Sequence, residues 1–288
     1  MVIDKDKRTI VVYHDECVDG FASAYVCSKY FTNVEYSPEL YTRDRKSVRE
    51  WKADGFEQIV YVDITPIDSD LIQFVENCYV IDHHIGRLPI LNMAHPSWNI
   101  YFDKDRSGVT STYFALYGKN NYSNMQLYVE DYDLWKFELS NSKAINAYIG
   151  MQERSFVAFE KLELTLATSS NDLAFKLIVS IGNYIIRTNN ELVEKSIRLS
   201  SFEKLGIIFV NSSNSANEIA ETFDGDVCVY YHKDDRNIRC SFRGPNALFY
   251  AKQLGGNGHE LSAGAYCEEL PWLLLKQWDS SPLIIGAV

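Results

Sequence analysis

Three short apolar segments in the first third of the chain each end in acidic or imidazole side chains. Residues 9–13 (TIVVY), 58–62 (QIVYV) and 78–81 (CYVI) predict buried strands, and helical patterns at residues 21–31 and from about residue 68 separate them. This alternation predicts a parallel sheet covered on both faces. Ligands bind beyond the carboxyl ends of such strands, so we expect one site there. Its candidate residues are His14, Asp19, Asp63, Asp82, His83 and His84.

The second half of the chain predicts a separate, smaller unit. A mainly helical stretch runs from Ser107 to about residue 201, and its polar end, residues 189–204, predicts a linker or connecting helix. A second α/β pattern starts at Gly206. We therefore expect an α/β protein with domains at residues 1–190 and 206–288, a linker at residues 191–205, and the active site in the cleft between the domains.

Charge and hydropathy narrow the class of partner. The chain has 28 Lys and Arg against 39 Asp and Glu, a net charge of −11, which repels long duplex nucleic acid. A small phosphorylated molecule remains compatible with this surface if metal ions supply local positive charge. No apolar stretch has the length of a membrane span, and the N-terminus has no signal-like apolar core. We expect a cytoplasmic protein without a membrane partner.

The candidate residues have the chemistry of a divalent metal site. Hard cations bind carboxylates and imidazoles, and two-metal hydrolytic sites combine about six or seven such groups around one shared carboxylate. One isolated acid is usually a surface residue. The run Asp82-His83-His84 at a strand end is different, because adjacent imidazoles beside a buried strand need charged or polar partners.

These residues occur in motifs that resemble a known enzyme family. Four ordered motifs resemble those of the DHH phosphoesterase superfamily: residues 14–21 (HDECVDGF), 62–63 (VD), 82–84 (DHH) and 129–135 (VEDYDLW). Residues 239–244 (RCSFRG) and 255–264 (GGNGHELSAG) resemble the GGGH-type motif of the DHHA1 domain that usually follows it. The resemblance covers residues 10 to 266, and six elements in this order do not arise by chance.

The resemblance implies a binuclear centre, usually of Mn²⁺ and sometimes of Mg²⁺ or Co²⁺. Asp63 would bridge the two ions. His14 and the first acid of motif one would hold one ion, whereas Asp19, His83 and an acid of the fourth motif would hold the other. His84 would be a catalytic residue at the scissile phosphate, and Asp82 would orient the imidazoles.

The resemblance also implies where the rest of the substrate binds. Arg243 and His259, with the turn that contains Gly256 and Gly258, would hold the part that is not cleaved, since guanidinium groups and bare backbone amides both bind anions. Ser107 opens a helix, where its hydroxyl is either a cap or part of a phosphate site beside the centre.

Two departures from the family pattern leave alternatives open. Cys17 stands where an Asp is common, so it is either not a ligand or belongs to a site that prefers a softer ion such as Zn²⁺; Asp15 is a substitute two residues away. In the fourth motif, Asp133 is the favoured ligand and Asp131 the second candidate, and the two would share a face only in an extended segment.

The leading functional hypothesis is a metal-dependent phosphoesterase that cleaves P–O bonds of small nucleotides with a metal-bound hydroxide, like the nanoRNases. Its substrates would be short oligoribonucleotides (3′–5′ exoribonuclease-like cleavage), pAp, or linear or cyclic dinucleotides. One alternative is an inorganic pyrophosphatase or exopolyphosphatase. Another is a nucleotide-binding protein that Cys17 has impaired catalytically. The apolar residues 272–275 would belong either to the core or to the interface of a homodimer.

Overall fold

The computed structural model describes residues 3–41, 45–213, 216–234 and 237–276. The chain forms two compact units, Met1–Thr188 and Asn189–Val288. The predicted domain boundaries and the cleft stay predictions. The segment predicted as a linker or connecting helix contains the end of helix Leu173–Ser200 and strand Phe202–Lys204.

A five-stranded parallel sheet forms the centre of the first unit, in the order β2-β1-β3-β4-β5. The three predicted strands are confirmed within one residue at each end. The second and fifth strands were not predicted, because VEYSPE and NIYF lack a continuous apolar run. The strands are β1 Thr9–His14, β2 Val34–Glu39, β3 Gln58–Val62, β4 Cys78–Asp82 and β5 Asn99–Phe102.

Helices cover both faces of this sheet. Alternate residues of β1, β3 and β4 enter two different apolar clusters: one face packs on Phe21 and Tyr25 of α1, and the other on Trp51 and Leu71. This two-sided burial is why these strands read as continuous apolar runs. The helices are α1 Val18–Tyr30, α2 Val48–Ala53, α3 Asp68–Leu71, α4 Leu88–Leu91, α5 Gly108–Tyr117, α6 Asn124–Asp133, α7 Ser142–Met151, α8 Phe156–Leu166 and α9 Leu173–Ser200.

The second unit contains a mixed six-stranded sheet in the order β10-β11-β9-β8-β7-β6. The pair β7 and β8 is parallel, and the other pairs are antiparallel. The strands are β6 Phe202–Lys204, β7 Ile207–Asn211, β8 Asp226–His232, β9 Ile238–Arg243, β10 Asn257–His259 and β11 Ser262–Cys267. The helices are α10 Ala216–Ala220, α11 Ala247–Gln253 and α12 Pro271–Leu274.

The predicted fold class, a parallel-sheet α/β unit followed by a smaller α/β unit, is confirmed. Within the described ranges, no helix is both long and apolar enough to cross a bilayer. All six cysteines are free thiols, and five of them are buried, as the absence of paired cysteine motifs predicts.

Candidate metal centre

The candidate residues gather at the carboxyl edge of the first sheet. His14 ends β1, Asp63 directly follows β3, and Asp82 ends β4. These three strands are neighbours and parallel, so their ends lie side by side. Asp19 enters from the first turn of α1, and Asp133 is the last residue of α6.

Asp63 lies between two imidazoles. Its Oδ1 is 3.0 Å from Nε2 of His83, and its Oδ2 is 3.5 Å from Nδ1 of His14. The backbone of Asp63 is left-handed, with φ of 57°, a conformation that costs a non-glycine residue free energy and occurs where the surroundings enforce it. The two oxygens therefore face different partners, which is the geometry that a bridging carboxylate requires.

Donor atoms form two groups around this carboxylate. Asp19, His83 and Asp133 place one donor each within 4.8 Å of one another, and His14, Cys17 and Asp63 form a second such group. Nε2 of His83 is 3.6 Å from Oδ2 of Asp19 and 3.6 Å from Oδ2 of Asp133. Three predicted metal residues, Asp19, Asp63 and Asp133, thus surround Nε2 of His83.

Asp82 holds both histidines that follow it. Its Oδ1 accepts the backbone N–H of His83 at 2.8 Å and that of His84 at 3.3 Å, and it lies 2.6 Å from Nδ1 of His84. The pairing fixes the ring of His84 and leaves its Nε2 on the opposite side of the ring. This is the geometry of an orienting carboxylate, although the roles of Asp82 and His84 in catalysis stay predictions.

Asp19 also caps a helix. Both of its oxygens accept backbone N–H groups from the start of α5, from Gly108 and, at 2.9 Å, from Val109. A Cβ on Gly108 would lie 2.6 Å from Cβ of Asp63 and 2.8 Å from Oδ2 of Asp19. Position 108 must therefore be glycine for the helix to reach the cluster, where its positive end stabilises the buried carboxylate.

The interpretation of Ser107 as a side-chain cap is wrong. Ser107 occupies the N-cap position, yet its hydroxyl makes no capping bond, because the carboxylate of Asp19 takes the free amides. The hydroxyl is buried and lacks a hydrogen-bond partner within the described residues. Its predicted contact with substrate stays a prediction.

The charges of the cluster are poorly balanced without a cation. Burial and the neighbouring carboxylates of Asp63 and Asp133 raise the pKa of Asp19 well above its usual value. Burial lowers the pKa of His83, but contacts with three carboxylates outweigh it and raise the pKa to about 10. Burial raises the pKa of Asp63, but its contacts with the imidazoles of His14 and His83 outweigh this and hold the pKa well below normal. Three acids thus compete for one buried imidazolium.

Unsatisfied buried atoms test whether a metal fits. In the described part of the chain, Oδ2 of Asp63, Asp82 and Asp133 and Nδ1 of His14 are buried without a hydrogen-bond partner. Leaving such groups unpaired is costly. Carboxylate and imidazole donors that converge in this way suit hard divalent cations. The residues therefore fit the metal centre that the motifs imply.

The structure separates the two candidates of the fourth motif. Both residues lie on α6, where positions two apart point to nearly opposite sides of the helix. Asp133 reaches His83, whereas the carboxylate of Asp131 accepts the backbone N–H groups of Glu138 at 2.8 Å and Leu139 at 3.4 Å. Asp131 thus supports the loop after α6, and Asp133 lies in the donor cluster.

Cys17 lies in the cluster as a neutral thiol. It precedes α1, and its sulfur belongs to the donor group of His14 and Asp63. Burial raises the pKa of this thiol well above normal, and the surrounding carboxylates raise it further. The carboxylate of Asp15 instead accepts the amide of Glu16 at 2.8 Å.

Comparisons with known proteins agree with this architecture. No family model matches the sequence. A curated relative, the uncharacterized protein R106 of Acanthamoeba polyphaga mimivirus, is 22% identical over 294 residues, which cover 91% of this chain and 68% of the relative. The structure of RecJ from Thermus thermophilus in complex with Mn²⁺ matches 90% of this chain with a TM-score of 0.50 and 14% identity. The chain shares the fold of this RecJ structure.

Two further structures match with lower TM-scores. An uncharacterized protein from Helicobacter pylori has a TM-score of 0.45 and 15% identity, and the pGpG-specific phosphodiesterase PggH from Vibrio cholerae has 0.48 and 12%. Both alignments cover 91% of this chain and 94% of the other. This chain spans about half of the RecJ chain, with 49% covered. The match to RecJ confirms the fold that the motif resemblance implies.

Four of the five predicted substrate residues, Arg243, Gly256, Gly258 and His259, lie in the second unit, whereas Ser107 lies in the first. Arg243 ends β9, and its guanidinium donates to Oδ1 of Asn217 and to the carbonyl of Phe242. His259 ends β10. A Cβ on Gly256 would lie 2.0 Å from the carbonyl oxygen of Gly264, and Gly258 has φ of +148°, so both positions require glycine. The close turn is present; substrate binding stays a prediction.

Sequence reasoning missed an aromatic and cationic support beside the centre. The ring of Tyr41 lies edge-on to His14 at 5.5 Å and to His84 at 6.1 Å. Arg45 and Arg87 lie 5.3 Å and 5.8 Å from the centre of the same ring. Tyr41 and Arg45 belong to none of the motifs, so only the fold shows that they lie at this edge.

Proposed function

We propose that this chain is a metal-dependent phosphoesterase that hydrolyses P–O bonds of small nucleotides. The observation that carries the proposal is the carboxylate of Asp63, whose two oxygens face His83 and His14 separately within a buried cluster of acids. A structural cluster of this kind would satisfy its own polar atoms. Here, buried carboxylate oxygens lack donors within the described ranges, which supports a cation-binding role.

In this proposal the residues form two metal-binding groups with Asp63 between them. Asp19, His83 and Asp133 would hold one cation together with Asp63. His14, with Cys17 nearby, would hold the other cation, also together with Asp63. Two divalent cations, Mn²⁺ in the first place and Mg²⁺, Co²⁺ or Zn²⁺ otherwise, would supply the Lewis acidity that activates water and neutralises the phosphate. The protein's own contribution is to fix the donors on strand ends and to keep His84 oriented through Asp82.

We propose that His84 acts on the substrate. The 2.6 Å contact between its Nδ1 and Asp82 orients the ring, and Nε2 on the opposite side of the ring would face a phosphate oxygen. The Asp82 carboxylate also favours a protonated ring: burial lowers the pKa of His84, and contact with Asp82 raises it above its usual value. A protonated imidazole stabilises the charge that develops on a phosphate during hydrolysis.

The proposed substrate is a small nucleotide. A net charge of −11 opposes a long duplex. Arg243 and the glycine turn in the second unit offer a guanidinium and close backbone approach for a second phosphate. Linear dinucleotides, pAp, cyclic dinucleotides and short oligoribonucleotides all carry such a group. We further propose that the protein acts in the cytoplasm, and homodimer formation stays part of the proposal.

The test is turnover of a defined panel. The panel contains a 5′-phosphorylated RNA dinucleotide, pAp, a cyclic dinucleotide, bis-p-nitrophenyl phosphate and pyrophosphate, each with Mn²⁺, Mg²⁺ or Zn²⁺. We expect Mn²⁺-dependent release of mononucleotide from at least one nucleotide, lost in Asp63→Ala and in His83→Ala. Asp131→Asn is the matched control, because it changes a buried acid outside the cluster and should keep turnover.

The alternatives predict other results. Cleavage of pyrophosphate but of no nucleotide would favour the inorganic pyrophosphatase. Tight binding of a nucleotide without turnover under any of the metals would contradict the enzyme and favour an impaired binding protein, with Cys17 as the residue to change first.

A further inference from the structure

One face of the second sheet carries polar side chains in register. Residues directly opposite each other in an antiparallel pair lie on the same face of the sheet. Asn257 pairs with Gly264, which pairs with Ser241; His259 pairs with Ser262, which pairs with Arg243. The residues between them in β9 and β11 are buried in the apolar cluster below. We call Ser241, Arg243, Asn257, His259 and Ser262 the polar face.

Asn257 is the unusual member of this face. Both polar atoms of its side chain, Oδ1 and Nδ2, are buried, and neither has a hydrogen-bond partner in the described part of the chain. The residue as a whole is partly exposed. Its neighbour across the strands is Gly264, which places no side chain beside it.

A purely structural asparagine in a turn bonds to nearby groups. Other asparagines of the same unit do so: Asn246 donates to Asp226 at 2.8 Å, and Asn237 donates to Asp234 at 2.9 Å. Among the residues that the structure describes, Asn257 finds no such bond, although it lies inside the tight turn between Gly256 and Gly258. Burying an amide without partners is unfavourable, and an outside ligand would relieve it.

We propose that Asn257 recognises the nucleobase of the substrate through its side-chain amide. The amide offers one donor beside one acceptor, which matches an adenine edge, where the 6-amino group donates and a ring nitrogen accepts. Arg243 lies in the next row of the same face, so a phosphate and a base of one nucleotide have separate partners there. The proposal deepens the proposed function and rests on it, since it names an adenine nucleotide as the substrate class.

The test compares substrates with and without the recognised group. The probes are a 5′-phosphorylated diadenylate, the same dinucleotide with purine in place of adenine, and bis-p-nitrophenyl phosphate, all with Mn²⁺. For Asn257→Ala we expect about a tenfold loss of kcat/KM on diadenylate, within the discrimination that one bidentate amide–base pair provides. On bis-p-nitrophenyl phosphate the change should stay below about twofold, because that compound has no base.

The purine dinucleotide supplies the second comparison. The wild type should prefer diadenylate about tenfold over it, and Asn257→Ala should lose this preference, because the amide no longer meets the 6-amino group. Asn211→Ala, at an exposed asparagine that ends β7, is the control and should behave as wild type. Removing an unsatisfied amide should leave the melting temperature of Asn257→Ala unchanged or higher.

Two results would overturn the proposal. One is an equal loss of kcat/KM on all three substrates, which together with a lowered melting temperature would show a structural role of Asn257 in the turn. The other is a preference for adenine that Asn257→Ala leaves unchanged. If the wild type hydrolyses none of the probes, the proposed function fails instead. Calorimetric binding of diadenylate and of the purine dinucleotide to wild type and Asn257→Ala then decides on base recognition alone.

Discussion

Replacing each acid of the fourth motif by its amide separates metal binding from loop support. Asp133→Asn and Asp131→Asn are isosteric changes two residues apart on α6. Asp133 lies 3.6 Å from His83 in the donor cluster, and burial raises its pKa, so its charge is unfavourable without a cation. Asp131 instead accepts two backbone N–H groups.

Without metal, the free energy of unfolding should be unchanged or higher in Asp133→Asn and lower in Asp131→Asn. Without metal, Asp133→Asn should be within about 1 kcal/mol of wild type or more stable, because a buried repulsion is removed. Asp131→Asn leaves one of two N–H groups without an acceptor, which costs about 1–3 kcal/mol of the free energy of unfolding. This loss should occur with and without metal.

The stabilisation that Mn²⁺ adds distinguishes the two variants. Mn²⁺ at about 100 times its Kd stabilises the folded state by about 2.7 kcal/mol, which is a shift of roughly 5–11 °C for a unit of this size. If loss of one carboxylate ligand weakens binding about 100-fold, the remaining stabilisation is about 0.4 kcal/mol, or roughly 1–2 °C. Asp131→Asn should keep the full shift.

The assay is thermal unfolding followed by circular dichroism, with and without Mn²⁺, after treatment with a chelator. A full Mn²⁺ shift in Asp133→Asn together with its loss in Asp131→Asn would show that the assignment on α6 is reversed. A full shift in both variants would remove α6 from the metal centre altogether.

Three further changes test separate parts of the site and fold. Gly108→Ala would place a methyl group 2.6 Å from Cβ of Asp63 and should abolish the Mn²⁺-induced shift in melting temperature, whereas Gly150→Ala, with no atom near its added Cβ, should keep it. Glu163→Gln tests the pH dependence of stability. Burial raises the pKa of Glu163, but hydrogen bonds with Lys29, Ser123 and Tyr25 outweigh this and lower the pKa. The wild type therefore gains stability above about pH 4.5, and it loses this stability as the pH falls through the folded-state pKa. Denaturant unfolding at pH 7 and pH 3 should therefore show a larger drop for wild type than for the variant; equal drops would contradict this. Cys17→Asp exchanges a neutral thiol for a hard ligand, and calorimetry should show tighter Mn²⁺ and relatively weaker Zn²⁺ binding; weaker Mn²⁺ binding would refute the proposed position of this side chain.

The sequence predicted the parts of the fold that depend on local pattern. The strands that end at His14, Asp63 and Asp82 are buried on both faces, so each reads as an apolar run with a polar end. Parallel pairing then brings those ends together without further information. This is why the sequence predicted that these acidic and imidazole side chains form one donor cluster.

Other features depend on contacts between distant segments. The fourth motif lies on helix α6, where Asp131 and Asp133 point to different sides, so one acid joins the donor cluster and the other supports the loop that follows. The cap of α5 comes from Asp19, 89 residues away from Gly108, so the local cap signal of Ser107 was misleading. Neither the Tyr41 ring nor the unpaired amide of Asn257 leaves a periodic signal.

Metal stoichiometry measured together with turnover tests the central claim most directly. Chelator-treated protein is titrated with Mn²⁺ while bound metal, the electron paramagnetic resonance spectrum and dinucleotide hydrolysis are recorded, for wild type and for Asp63→Ala. We predict two ions per chain, a spectrum of two coupled ions, hydrolysis that requires both, and loss of coupling and turnover in the variant. Full hydrolysis by metal-free protein, or coupled ions that persist in Asp63→Ala, would contradict the account.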